Sequence, residues 1–287
     1  MTDRVAIVGI VGVPGNYGGF ETMVDNLVDA EKTEFTVYCS SYNYKDQIKN
    51  YKNAKLVYIR IKANGVFSIL YDIFSILHAV ISGHKTILIL GVSGAILIPF
   101  IRILPLKIRI ITNIDGIEWK RDKWNSAAKF FLKFSEKLAV NYSSIVIADN
   151  DAIGEYIKND YGKKAEIIAY GGDNAISNCN ENYLFKKPYD SYALSLCRIE
   201  PENNIELILK SFSLSKENII FIGNWNSSSY GMRIKEDYIK FPNIKILDPI
   251  YDSNILYQYR SNCAVYIHGH SAGGTNPSLV EMIDRKS

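Results

Sequence analysis

The sequence predicts an α/β protein made of two parallel-sheet lobes, on three observations. Short apolar, β-rich runs alternate with helical patterns from Val5 to Asp149, which is the signature of a sheet wound on both faces. The alternation relaxes over the polar, turn-rich stretch YGGDNAISNCNENYLFKKPYD (170–190) and then begins again. Finally, 287 residues are long for one ordinary domain and comfortable for two. The expected boundaries are an N-terminal lobe over 1–170, a linker over 171–190 and a C-terminal lobe over 191–287.

In the first lobe, VAIVGIV (5–11), TVYC (36–39), LVYIRI (56–61), TILIL (86–90), IRIITN (108–113) and SIVIAD (144–149) read as buried strands. Phe20, Met23, Val24, Leu27 and Val28 fall on one helical face, and 66–82 and 126–142 share that periodicity. In the second, YALSLCRI (192–199), NIIFIGNW (218–225), NIKIL (243–247) and CAVYIHG (263–269) read as strands, 204–213 as a helix, and a last helix should start near 276–278. Four clear strands against at least six, and an end six residues after Glu281, lead us to expect an incomplete second lobe and a poorly active, aggregation-prone chain.

Composition narrows the class. Hydrophobic residues make up 47% and charged residues 22%, a globular balance. A net charge of +3 argues against a dedicated nucleic-acid binder. Cys39, Cys179, Cys197 and Cys263 form no CxxC pair, which disfavours a zinc site or disulfide framework and suits a reducing, cytoplasmic compartment. The run TILILGVSGAILIPFIRIL (86–104) is nearly uncharged, but its glycines and Pro99 read better as strand, turn and short helix than as a membrane span.

Three blocks carry chemistry. GVPGNYGGFET (12–22) follows the first strand and opens the first helix; glycines allow close backbone approach, and a helix start favours anions. Its spacing is not GxGxxG, so a plain strand–helix turn stays open as a reading. Arg198 ends the first strand of the second lobe, where its fork of donors suits a phosphate; the alternative is an ion pair with Glu200 or Glu202. HGHSAGGTNPSLVEM (268–282) ends a strand and starts a helix capped by Thr275 or Asn276, with Pro277 in its first turn. Glu281, about one turn in, can accept hydrogen bonds from ribose hydroxyls or be a solvated helix residue. His268 and His270 can hydrogen-bond a sugar or serve the fold. Two such lobes are expected to bind ligand at the carboxyl ends of their strands.

These blocks, with NIDGIEWKRDKW (113–124), resemble the GT-B family of retaining, nucleotide-sugar glycosyltransferases related to glycogen synthase and phosphatidylinositol mannosyltransferase. More narrowly they are similar to the rhamnosyltransferase-like branch that builds O-antigen, lipopolysaccharide and capsule repeat units. The resemblance spans nearly the whole chain. It implies that Gly18 and Gly19 approach donor phosphate or acceptor, that Arg198 binds the pyrophosphate, and that Glu281 is the second glutamate of an E-x7-E motif on the ribose. Gly274, Thr275 and Asn276 would then hold the donor through backbone groups. The motif's first glutamate is replaced by Gly273, and the lysine expected five residues beyond Arg198 is Asn203.

Asp115 and Glu118 are the catalytic candidates, to position the acceptor hydroxyl or take its proton; the alternative is turn-forming and helix-capping carboxylates. Trp119, Lys120, Arg121, Lys123 and Trp124 would meet a lipid-diphosphate acceptor or an anionic membrane, or else form an exposed basic helix start. Asp149-Asn150-Asp151 reads as a helix cap rather than a metal string. The resemblance thus implies a hexosyltransferase without an obligatory metal or other cofactor. Its donor would be dTDP-rhamnose, with a UDP-sugar open, and its acceptor a polyprenyl-diphosphate-linked sugar at the inner membrane face. A nucleotide-sugar epimerase and a non-catalytic nucleotide-sugar binding protein are the rival readings.

Overall fold

The structure, a computed structural model, describes residues 4–15, 18–121, 124–176, 186–271 and 274–286. Cys179, Gly273, Lys123 and residues 177–185 of the expected linker lie outside the described residues. The chain divides into two compact units, Met1–Ala169 with Gly273–Thr275, and Tyr170–Ala272 with Asn276–Ser287.

The first unit runs β1 (Arg4–Val8), α1 (Gly19–Leu27), β2 (Glu34–Ser40), β3 (Asn50–Tyr51), β4 (Ala54–Ile59), α2 (Phe67–Ile81), β5 (Thr86–Leu90), α3 (Ile98–Ile103), β6 (Arg109–Asn113), α4 (Ser126–Tyr142), β7 (Ile145–Ala148), α5 (Asp151–Tyr161) and β8 (Glu166–Ile167). The sheet order is β3-β4-β2-β1-β5-β6-β7-β8, parallel except for the β3–β4 hairpin. One face buries Ala6, Val8, Ile87 and Ile110 against α2, α3, α4 and α5; the other buries Ile7, Val37 and Leu90 against α1. Alternate residues of β1 therefore feed two cores, as a strand covered on both sides requires. β1 stops at Gly9, at φ +95°, where a Cβ would collide with the Leu90 carbonyl; only glycine fits there.

The second unit runs β9 (Ala193–Leu196), α6 (Ile205–Ser213), β10 (Ile219–Ile222), α7 (Ser229–Tyr238), β11 (Ile244–Leu247), α8 (Ser253–Asn262), β12 (Val265–Tyr266) and α9 (Pro277–Lys286). Its sheet is β11-β10-β9-β12, all parallel. Ile219 and Phe221 pack with α6 and α7, and Ile220 and Ile222 with Tyr192 and Met282. Both units are α/β with parallel sheets, as the alternation predicts. The run 86–104 is β5, a turn and α3 with Pro99 at its start, and no described helix is long and apolar enough to cross a membrane.

α2 carries one anomaly. Asp72 lies on its buried face with Tyr71, Ser75, Ile76 and Ala79, and burial raises its carboxyl from the ordinary 3.8 to about 8. The folded chain therefore keeps this proton well above the pH at which the unfolded chain sheds it. The unfolded state binds fewer protons in that interval, so stability falls as pH rises from about 4 to about 8. Asp72→Asn removes the effect. Its stability gain over the parent should be small at pH 4 and grow steadily to pH 8 in urea denaturation; a gain independent of pH would show that Asp72 ionises normally.

Candidate functional site

At the carboxyl end of β1 the glycine loop is fastened by carboxylates. Glu21, in the first turn of α1, is 5% exposed, and its Oε1 accepts from the Val11 N–H at 2.9 Å. Tyr44 Oη donates to the Pro14 carbonyl at 2.9 Å. Gly18 is the N-cap in extended backbone, and Gly19 is the first helical residue. Glu21 lies in the first turn of α1, at the positive end of the helix, where an acidic side chain is favoured. Asn16 and Tyr17 of this loop lie outside the described residues.

A cluster of polar side chains lies at the carboxyl ends of β6 and β7. Asn113 is 4% exposed; its Nδ2 donates to Asp149 Oδ1 at 3.1 Å, and its Oδ1 accepts from the Asp115 N–H at 2.8 Å. That second bond fixes Asp115 in the left-handed region, at φ 63°, which few residues other than glycine, asparagine and aspartate adopt. Asp149 is 1% exposed, burial raises its carboxyl, and its Oδ2 has no partner among the described residues. Asn150 Oδ1 caps α5 through the Ile153 N–H at 3.0 Å, which is the cap reading of the DND string. Its Nδ2 donates to Thr275 Oγ1 at 2.9 Å.

Gly274 lies against the same turn: a Cβ there would come 2.9 Å from the Gly116 nitrogen and 3.0 Å from Asp115 Oδ1. Three sequence candidates, Asp115, Gly274 and Thr275, thus meet although nearly 160 residues separate them. Asn113 and Asn150 were not singled out as site residues by sequence; their signal was a polar residue at or just past the end of an apolar strand run.

Glu118 is placed differently. Its Oε2 pairs with the buried Arg121 at 2.9 Å, and its Oε1 accepts from Trp124 Nε1 at 3.0 Å. With both oxygens engaged, Glu118 braces the turn after Asp115 instead of presenting a free base. Trp119 donates from Nε1 to Tyr156 Oη at 3.3 Å and lies under Lys133. Tyr156 and Tyr161 in turn donate to Glu136, whose carboxyl burial raises. Among the described residues of the aromatic–basic block, Trp119, Arg121 and Trp124 are engaged in packing and Lys120 is exposed.

In the second unit the candidates gather at the adjacent ends of β9 and β12. Arg198 is exposed, and its Nη1 makes a loose ion pair with Glu200 at 3.7 Å, the alternative foreseen for it. Asn203 is buried: its Nδ2 donates to the Arg198 carbonyl at 2.7 Å, and its Oδ1 accepts from His270 Nδ1 at 2.8 Å. The residue standing where the resemblance leads one to expect lysine therefore supports the Arg198 loop and orients His270. Asn204 Nδ2 donates to the Gly269 carbonyl at 2.7 Å. His268 stacks on Tyr266, its ring centroid 5.7 Å from that of His270, and burial lowers its pKa, so it is neutral at pH 7.

The α9 start is capped by Asn276, whose Oδ1 accepts from the Ser278 N–H at 3.0 Å. Glu281 is 7% exposed; its Oε2 pairs with buried Arg260, and its Oε1 accepts from Asn174 Nδ2 at 2.9 Å. Neither the solvated reading nor an unengaged ribose acceptor describes this carboxylate. Arg260 and Asn174 carry no sequence signal, because nothing in YQYRSN or GGDNA marks a partner so distant in the chain.

No curated protein matches the chain. Residues 2–173 match the family model described as "Domain of unknown function (DUF1972)". Among solved structures, the chain is similar to a UDP-forming alpha,alpha-trehalose-phosphate synthase from Burkholderia xenovorans in complex with glucose-6-phosphate, at TM-score 0.67 and 11% identity over 99% of this chain and 82% of that one. It is similar to Anabaena HepE in complex with UDP and glucose at TM-score 0.64 and 11% identity, over 93% and 74%. It is also similar to a putative UDP-N-acetylglucosamine 2-epimerase from Listeria monocytogenes at TM-score 0.57 and 11% identity, over 93% and 74%. At such identity the likeness shows the fold, the GT-B class of two Rossmann-like units.

Removing one member of a buried ion pair leaves the other charge uncompensated. Glu281→Gln should therefore lower unfolding stability by about 3–5 kcal/mol through Arg260, read as a fall in urea midpoint. An unchanged midpoint would mean that the two side chains are not paired.

Proposed function

We propose, for a chain that belongs to the DUF1972 family, the transfer of a sugar from a nucleoside-diphosphate donor to a sugar acceptor with retention at the reacting carbon. One observation carries this reading: Asp115 is held in a left-handed turn by Asn113, directly against Gly274 and beside Thr275. An acid fixed beside a small-residue turn can bind a sugar hydroxyl through its carboxylate and through backbone N–H groups.

Asp115 is the group that orients the acceptor hydroxyl, and Glu118 sets the turn that carries it. Arg198, exposed and only loosely paired, supplies a cation for the diphosphate as charge grows on the leaving group. Neutral His268, and His270 oriented by Asn203, are hydrogen-bonding groups for the sugar. Gly18 and Gly19 receive the acceptor rather than the donor phosphate. Asn276 and the start of α9 offer backbone donors to an anion. Charge compensation by these groups requires no metal in this scheme.

The finer reading rests on the sequence blocks. The donor is dTDP-rhamnose, and the acceptor is a saccharide on a polyprenyl diphosphate at the cytoplasmic face of the membrane, in surface-polysaccharide assembly. UDP bound to HepE and the UDP-forming synthase support a nucleotide-sugar donor and keep a UDP-sugar in view. The epimerase-like neighbour supports the second reading, isomerisation of a nucleotide sugar without an acceptor. A donor panel with detection of released nucleotide, run with and without a lipid-linked acceptor, separates the two: transfer requires the acceptor, isomerisation does not.

Two substitutions test the residue roles. Arg198→Ala should weaken nucleoside-diphosphate binding in calorimetry by about 1.5–3 kcal/mol, the range for a charged hydrogen bond; an unchanged affinity removes Arg198 from the donor site. Asp115→Asn keeps the turn and should cut turnover about 100-fold while leaving nucleotide affinity intact. Full turnover in that variant would assign Asp115 to the fold alone.

A further inference from the structure

Burial of α2 is divided between two faces, and only one is accounted for. Tyr71, Asp72, Ser75, Ile76 and Ala79 face the core. Phe67, Leu70, Phe74, Leu77 and Ile81 recur at steps of three and four, a second stripe along the same helix, and all are exposed. Ile81 is 84% exposed. An amphipathic helix on a sheet ordinarily gives water its polar side; this one gives water aromatic and branched aliphatic groups.

The stripe continues onto neighbouring helices. α2, α3 and α4 pack on the same face of the sheet, so their outer sides look away from it together. They are knit at one turn: a Cβ at Gly94 would come 2.7 Å from Asp72 Cβ on α2, and Ser135 Oγ of α4 donates to the Val92 carbonyl at 2.5 Å. On α3 Phe100 and Ile103 are exposed, Ile103 by 80%. On α4 Phe130 and Phe134, one turn apart, are exposed as well. Exposed apolar surface of this extent marks a contact with something other than water.

Charge identifies the contact. Between residues 60 and 114 the sequence has six lysines and arginines, Arg60, Lys62, Lys85, Arg102, Lys107 and Arg109, and all are exposed. The only carboxylate in that span is Asp72, which is buried. α4 adds exposed Lys133 and Lys137, and its one carboxylate, Glu136, is buried too. These helices thus expose apolar groups together with the cations Arg102, Lys133 and Lys137, with Lys107 just after α3, and expose no acid. A self-complementary or protein interface gains from charges of both signs, whereas an anionic bilayer needs cations at headgroup depth and apolar groups beneath them.

We propose that the outer surface of α2, α3 and α4 docks on a lipid bilayer bearing anionic headgroups. The apolar side chains enter the headgroup–acyl boundary, and Arg102 and Lys107, flanking Ile103 and Leu106, reach phosphates. The Trp119 block adjoins α4 through Lys133, and its described aromatics are engaged in packing. The proposal does not depend on the transferase reading, because nucleotide affinity reports that reading on its own.

The test is co-sedimentation of the full chain with vesicles of phosphatidylcholine alone or mixed with phosphatidylglycerol. Binding is expected to the mixed vesicles and to weaken as salt is raised. Combined Phe74→Ser, Ile81→Ser and Ile103→Ser should lower the partition coefficient by about ten-fold or more, with melting temperature and nucleotide affinity unchanged because all three residues are exposed. Arg102→Glu with Lys107→Glu should lower binding to the mixed vesicles with the apolar residues intact. Absence of binding to either vesicle would overturn the proposal. So would a concentration-dependent dimer in ultracentrifugation that the triple variant abolishes without any vesicle binding, which would assign the surface to a second copy of the chain.

Discussion

A parallel strand covered on both faces satisfies its backbone groups along its length and leaves them open at its carboxyl end. The arrangement of functional groups here follows from how those ends are closed. At β6 the closing group is Asn113, which accepts from the next turn and donates to Asp149 on the neighbouring strand's end. At β9 it is Asn203, which binds the Arg198 carbonyl and His270 of the β12 side. An amide side chain donates and accepts at once, so each asparagine ties two strand ends together beside a charged neighbour, Asp115 or Arg198.

The same economy explains why several charged residues that look functional are not free. Glu118 is tied to Arg121 and Trp124, Glu281 to Arg260 and Asn174, Glu21 to Val11. A carboxylate taken from water must be paired or neutralised. Pairing is the outcome for these three; neutralisation is the outcome for Asp72, which has burial as the sole cause of its raised pKa. The backbone of Asp115 is held by its own turn, through the Asn113 side chain.

The two faces of the first unit's helical layer divide the labour. Inner faces make the core that positions the strand ends, and outer faces of α2, α3 and α4 carry the apolar, cationic surface. Because α2 has a fixed register against the sheet, through Ile76 and Ala79, its outer stripe is held in one orientation rather than left to roll.

The sequence by itself determined the fold class, the two-part division of strand–helix alternation, and helices such as 126–142, because hydrophobic period is a local property that neighbours along the chain encode. β3, β8, α7 and α8 escaped it: β3 and β8 have two residues each, and α7 and α8 are short, polar on average and bury few side chains. Residue types at strand and helix ends are legible too, so that Asp115, Arg198, Gly274, Thr275 and His270 stand out in the sequence as candidates. Their partners do not. Whether Glu281 is free or bonded to Arg260, and whether Thr275 meets Asn150 across 125 positions, depends on which elements the tertiary fold brings side by side, and pairing over such distances leaves no periodic trace in one sequence. Exposure of the second stripe on α2 was decided in the same way, since a helix apolar on two sides reads as buried until the structure shows which side the sheet covers.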